Sequence, residues 1–248
     1  MEDHTLDSQE PVPYEVLTGP RLFLDSALLA DWERFLPLGL FQGVTTNPLL
    51  LERAGQECSL ANLERMTRRA VSLGAREIHL QTWGRTPEEL IHNGSQLALM
   101  SGLGVDVCVK VPATEMGWRV AEGLTRSGCF VTMTAVYNPG QVLAAAGFQA
   151  AYAAPYLGRL NDAGRDGLAA VLAMRDVLLG TRSETRLLVA SLRSAELVIK
   201  LAGLGLDTFT FGAPVAADLL QEGLTDEAAA DFQRAADAMG PPPEGTRH

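Results

Sequence analysis

The chain is poor in cysteine, in long apolar runs and in positive charge, and each shortage closes a class of function. Its cysteines are Cys58, Cys108 and Cys129 in a chain of 248 residues. Their number is odd and no two form a CxxC pair. Neither a disulfide framework nor a thiolate zinc site is expected, and reduced thiols in the cytoplasm fit best. No apolar run approaches the roughly 20 residues that a membrane span needs. Residues Met1–Gly19 are polar and acidic, with prolines and no apolar core of a secretory signal, and are expected to form a flexible arm. The formal net charge is −10. That charge repels phosphodiester backbones and sets general nucleic-acid binding aside. Small phosphorylated substrates stay open, because a few local cations outweigh the global field. The four histidines, His4, His79, His92 and His248, show no metal-ligand spacing, so no metal is expected. His79 reads as a strand residue facing a helix.

Short apolar runs alternate with helical patterns along most of the chain. The runs are Arg21–Asp25, Gly43–Thr46, Glu77–Thr82, Val105–Val111, Phe130–Val136, Ala151–Tyr156, Arg186–Ala190 and Thr208–Phe211. Most are rich in Val, Ile, Leu or Phe, as parallel strands buried on both faces are. Helix candidates lie between them at Ala61–Ser72, Pro87–Met100 behind a Thr86 cap, a segment opening at Thr114 and ending near Gly128, Ser194–Leu201 and Pro214–Leu220. Eight such units in a chain near the usual length of about 250 residues predict a single (β/α)8 TIM barrel over residues 20–239. A doubly wound open sheet is the alternative. Its nucleotide-binding versions are disfavoured, because no GxGxxG follows the first strand and no P-loop pattern occurs. One extra C-terminal helix is expected at Asp226–Met239, either packed on its own barrel or exchanged with a neighbouring subunit. The proline-rich tail, residues 240–248, is expected to be disordered.

Barrel chemistry sits at the C-terminal ends of the strands, so the polar residues that end each run are the candidates. They are Asp25, Thr46 with Asn47, Gln81, Lys110, Thr134, Tyr156 with Arg159, and Ser191 with Arg193. Lys110 lies inside Val107–Pro112, an otherwise apolar stretch where lysine is rarely buried without cause. A desolvated lysine is driven towards the neutral amine, a nucleophile for ketones and aldehydes. The alternative is a lysine paired with a buried carboxylate or turned to solvent. Asp25 either contacts the lysine or a substrate hydroxyl, or caps the following helix. Thr45-Thr46-Asn47-Pro48 is either a turn or a source of hydroxyl-binding groups. Gln81 can hold a water but cannot serve as acid or base. Tyr156 is either a proton shuttle or a solvated rim residue. Arg159, Ser191 and Arg193 follow the late strands, where phosphate sites of such barrels gather; the alternative is ordinary surface arginines.

Phe23-Leu24-Asp25-Ser26-Ala27, Gly43-Val44-Thr45-Thr46-Asn47-Pro48, Val109-Lys110-Val111-Pro112 and Ala190-Ser191 together resemble the transaldolase family, from about Leu22 to Leu220. The joint presence of Thr-Thr-Asn-Pro and Val-Lys-Val-Pro is the specific signal. The resemblance implies Schiff-base aldol chemistry without metal or cofactor. Lys110 matches the imine-forming lysine and Asp25 the acid/base aspartate. Asn47 matches a binder of substrate hydroxyls, Thr134 a residue positioning the catalytic water, and Arg159, Ser191 and Arg193 the phosphate contacts. Gln81 and Tyr156 resemble the fructose-6-phosphate aldolase branch; transaldolases proper carry glutamate and phenylalanine there. The implied activity is therefore cleavage of fructose 6-phosphate, or a related hydroxyketone, to dihydroxyacetone and glyceraldehyde 3-phosphate. The alternatives are transfer of a dihydroxyacetone unit between sugar phosphates and a non-catalytic sugar-phosphate-binding barrel. The resemblance also implies a homo-oligomer, a pentamer or decamer.

Overall fold

The computed structural model describes residues 19–240, so the expectations for the arm up to residue 18 and for the tail beyond residue 240 lie outside the described residues. The strands are β1 (Arg21–Asp25), β2 (Gly43–Thr45), β3 (Glu77–Gln81), β4 (Asp106–Pro112), β5 (Phe130–Val136), β6 (Tyr152–Pro155), β7 (Arg186–Leu187), β8 (Val189–Leu192) and β9 (Thr208–Phe211). Every neighbouring pair is parallel, in the order β7-β6-β5-β4-β3-β2-β1-β9-β8. The expected seventh strand is present as two halves, β7 and β8, on either side of Leu188. A bridge between Tyr156 and Ala190 joins β8 back to the end of β6. The nine pieces therefore make the eight-stranded closed barrel that the alternating pattern predicts, and the open-sheet alternative falls.

The described residues form eleven α-helices: α1 (Leu29–Phe35), α2 (Pro48–Arg53), α3 (Leu60–Ser72), α4 (Pro87–Ala98), α5 (Glu115–Arg126), α6 (Pro139–Gly147), α7 (Leu157–Asp162), α8 (Gly167–Thr181), α9 (Ala195–Gly203), α10 (Ala213–Leu220) and α11 (Gly223–Met239). Their starts are written in the sequence. Asn47, Ser59, Thr86, Thr114, Asn138, Asp166 and Ser194 each accept a hydrogen bond from a backbone N–H of the first turn. Such a cap contributes about 1 kcal/mol. The helices α1, α2, α6, α7 and α8 go beyond those singled out from the sequence.

Alternation along each strand divides the side chains. Leu24, Val44, Ile78, Leu80, Val109, Val131, Met133, Val189, Phe209 and Phe211 point outwards and pack under the helices in one continuous apolar shell. Each such side chain contributes about 1.5–3 kcal/mol on burial. With the apolar stabilisation concentrated in that shell, the barrel interior is free to carry polar groups. Its middle layer is small: Phe23, Cys108, Tyr152, Ala154 and Leu188 pack there, with the ring of His79 edge-on to Phe23 and Tyr152, each at 4.9 Å. The expectation that His79 faces a helix is thus corrected. Glu77, His79 and Gln81 share the inner face of β3, and Ile78 and Leu80 take the outer one. Full burial pushes the His79 imidazole below its ordinary value, against the opposing hydrogen bond to Glu77. Burial opposes ionisation of Glu77, yet hydrogen bonds from His79, Tyr152 and Cys108 hold its carboxyl below its ordinary value.

α11 starts three residues before the expected segment, and none of its residues is buried. Leu224, Phe232 and Met239 are exposed, so the helix does not use its apolar groups on its own barrel.

Candidate active site

A cavity of about 310 Å³ opens at the C-terminal end of the strands, lined by Asp25, Asn47, Arg53, Lys110, Tyr156, Arg159, Ser191, Arg193 and Thr210 among others. Seven of the ten sequence candidates therefore converge on one space. Lys110 comes from the middle of the barrel wall, on β4, and is 4% exposed. Among the described residues it has no ion-pair partner. A buried amine without a carboxylate partner is costly unless the position serves chemistry, and the paired-lysine alternative falls.

Asp25 ends β1 and caps nothing: the helix that follows begins only at Leu29, and Ser26 makes the local contacts with Asp31 and Leu28 instead. Its Oδ1 accepts from Thr45 Oγ1 at 2.7 Å, and Thr45 Oγ1 lies 2.6 Å from Thr210 Oγ1. A hydroxyl carries one proton. Thr45 spends its proton on Asp25, so Thr210 donates to Thr45, and the chain of hydroxyls fixes the carboxylate from below. Asn47 is both turn and site residue. Its Oδ1 accepts from Leu50 N at 3.0 Å to cap α2, which orients the side chain and leaves the Nδ2 donors for a ligand.

Gln81 stands beside Lys110 in the β3–β4 register. Thr134, on β5, stands two pairs further up, opposite Pro112, and its Oγ1 lies 2.7 Å from Tyr156 Oη. The Tyr156 ring is held from two sides, edge-on by Tyr137 at 5.9 Å and by the Arg159 guanidinium at 5.2 Å. Two bulges shape this side of the rim. The β5–β6 register shifts between Met133 and Val136, and the β8–β9 register between Val189 and Leu192. Ala135 and Ser191 sit in those shifts with φ of 55° and 59°, left-handed conformations that cost on the order of 1 kcal/mol for a residue with a Cβ. The second bulge aims Ser191 at the cavity, and Thr134, beside the first, meets it through Tyr156. Gly158 lets α7 press against β8: a Cβ there would lie 2.3 Å from Ser191 O. Arg193 is bound at the rim by both carboxylate oxygens of Asp162. That contact raises the guanidinium above its ordinary value and lowers the Asp162 carboxyl. It uses two of the five donors of the guanidinium.

Thr46 does not belong to this set. It is 1% exposed and its Oγ1 donates to His79 O at 3.3 Å, outside the barrel interior. Thr45 is the inward threonine, one residue earlier, and strand alternation is the signal that separates the two. Thr210 follows the same rule on β9. Arg53, at the last turn of α2, carries no sequence signal that marks it.

Tyr156→Phe removes the hydroxyl that meets Thr134 and leaves the ring contacts. We expect any turnover that relies on proton transfer in this cavity to fall about 10²-fold or more, in line with the loss of a positioned acid, with the unfolding midpoint nearly unchanged. Steady-state rates and a urea titration check both parts.

The sequence matches the family described as Transaldolase/Fructose-6-phosphate aldolase over residues 22–240. A probable transaldolase of Maridesulfovibrio salexigens is 34% identical over 213 residues, 85% of this chain and 94% of that protein. One of Anaeromyxobacter dehalogenans is 33% identical, over 83% of this chain and 91% of that protein. One of Lactiplantibacillus plantarum is 32% identical, over 86% and 94%. A solved mandelate oxidase structure shares the fold alone, with a TM-score of 0.55 and 16% identity over 88% of this chain and 73% of that one.

Proposed function

Since the chain belongs to the transaldolase/fructose-6-phosphate aldolase family and is thereby an enzyme of the aldolase or transaldolase class, we propose that it is a Schiff-base aldolase cleaving fructose 6-phosphate or a related hydroxyketone. One observation carries the reading: Lys110 is a buried amine with no ion pair among the described residues, facing a cavity that Asp25 and Tyr156 also line. The non-catalytic barrel is set aside with the family.

Lys110 Nζ attacks the ketone carbon, and the carbonyl oxygen leaves as water. Asp25 or Tyr156, through a water held by Gln81 and Thr134, takes the proton of the hydroxyl two carbons away. The bond between that hydroxyl-bearing carbon and the carbon attached to the imine carbon breaks, its electron pair flows into the iminium, and glyceraldehyde 3-phosphate departs. The enamine left on Lys110 is protonated at carbon, and water hydrolyses the imine to free dihydroxyacetone. Asn47 and Asp25 orient hydroxyls, and Arg159, Ser191 and Arg193 hold the terminal phosphate. No metal or cofactor enters these steps, and the cytoplasm is the fitting location. No described helix is long and apolar enough to cross a membrane. The unburied apolar groups of α11 support assembly into a homo-oligomer, a pentamer or decamer.

The second reading is transfer of the three-carbon unit to an aldose, which the relatives' name, probable transaldolase, favours. Release of glyceraldehyde 3-phosphate with no acceptor aldose present supports cleavage; turnover only with acceptor supports transfer. Gln81 decides between them physically, since an amide holds water but cannot deprotonate it. We expect Gln81→Glu to raise the transfer-to-cleavage ratio by about tenfold, below the ~10²–10⁴ of an optimally placed base. An unchanged ratio in the paired assay contradicts that role.

A further inference from the structure

Below the catalytic layer, between the middle of the barrel and its N-terminal mouth, three ligand-capable side chains meet that the aldol reaction does not use. Glu77 and His79 share the inner face of β3, and Cys108 stands beside them on β4. Their exposures are 3%, 0% and 2%. His79 Nε2 lies 2.9 Å from Glu77 Oε1 and Cys108 Sγ lies 3.3 Å from the same oxygen, with all three ligand atoms within 4.8 Å of one another. A tetrahedral zinc ion holds its N, O and S ligands at ~2.0–2.3 Å, which sets them roughly 3.3–3.8 Å apart. The Nε2–Oε1 and Sγ–Oε1 sides open to that size by a few tenths of an ångström, and the third side lies within 4.8 Å.

We propose that Glu77, His79 and Cys108 form a binding site for a divalent ion of the zinc class. The donor set is one carboxylate, one imidazole and one thiolate, which suits a borderline-soft ion and not magnesium or calcium. Two of the three ligands, His79 and Glu77, have an outer partner. Thr132 Oγ1 lies 2.8 Å from His79 Nδ1, which directs Nε2 towards the ion. Tyr152 Oη donates to Glu77 Oε2 at 3.1 Å and itself accepts from Arg21 Nη1 at 2.7 Å, leaving Oε1 for the ion. A way in exists: Glu77 and Cys108 line a cavity of about 1240 Å³ at the N-terminal mouth of the barrel. With three protein ligands, the fourth position faces that cavity and takes water or a small ligand. Sequence spacing hid the site because Cys108 lies on the next strand, 31 residues from Glu77.

The test reads metal, not catalysis, so its outcome is separate from that of the aldolase reading. Cobalt(II) titrated into the full chain should bind at one ion per chain and give a thiolate charge-transfer band with the intense visible bands of a tetrahedral ion. Cys58→Ser, which alters an exposed thiol, should keep the spectrum, and Cys108→Ser should lose the charge-transfer band. No tetrahedral spectrum in the wild type, or a thiolate band that survives Cys108→Ser, overturns the proposal. Should Cys108→Ser fail to fold, the unfolding temperature of wild-type protein decides. A rise that grows with cobalt concentration and is absent from folded His79→Gln supports the site; no rise in the wild type overturns it.

Discussion

Lys110→Met should lose roughly 10³-fold or more of aldol turnover, equivalent to ~4 kcal/mol of transition-state stabilisation, while the barrel stays folded. Methionine matches the length of the lysine stem and puts an apolar end where Lys110 is 4% exposed. No ion pair among the described residues is broken by the change, so no orphaned charge is left behind. On the proposed mechanism the loss falls on chemistry, because Lys110 is the one lysine among the residues lining the cavity. Turnover measured alongside the unfolding midpoint separates the two. Residual activity within tenfold of wild type would contradict the role of Lys110.

Gly43→Ala should cost about 3 kcal/mol or more of stability, the upper end of what overpacking does. A Cβ at position 43 would lie 1.7 Å from Glu77 O and 2.8 Å from Glu77 C. Both are backbone atoms of a strand paired with β2 at Gly43–Glu77 and Thr45–His79, so no flexible side chain can yield. The strands must separate, and Thr45 then leaves its 2.7 Å contact with Asp25. Stability and activity should fall together. An unfolding free energy from urea titration that falls by less than ~1 kcal/mol, with m unchanged, contradicts the packing argument.

The strands were legible because parallel strands under a helical shell must be apolar on their outer faces, and Val107-Cys108-Val109-Lys110-Val111 shows an intruding charge plainly. The rim was legible because polar residues end those runs. Thr46 was misplaced because a one-residue slip moves a side chain to the other face: Thr45 belongs to the hydroxyl chain and Thr46 to the wall outside. The same parity error turned His79 outward. Short helices such as α2 and α7 span too few turns for a periodic signal. The bulges at Ala135 and Ser191 have no sequence mark, since neither residue is glycine. What brings Ser191 and Arg193 to the cavity is the close approach of Gly158, a contact between segments 33 residues apart.

The most direct measurement is borohydride reduction in the presence of fructose 6-phosphate or dihydroxyacetone, followed by peptide mass analysis. The chain has two lysines, Lys110 and Lys200, and Lys200 is exposed on α9, so the modified position is unambiguous. A reduced dihydroxyacetone adduct on the Lys110 peptide, absent without borohydride, is the predicted result. An unmodified Lys110 in protein that is turning over substrate would contradict the account.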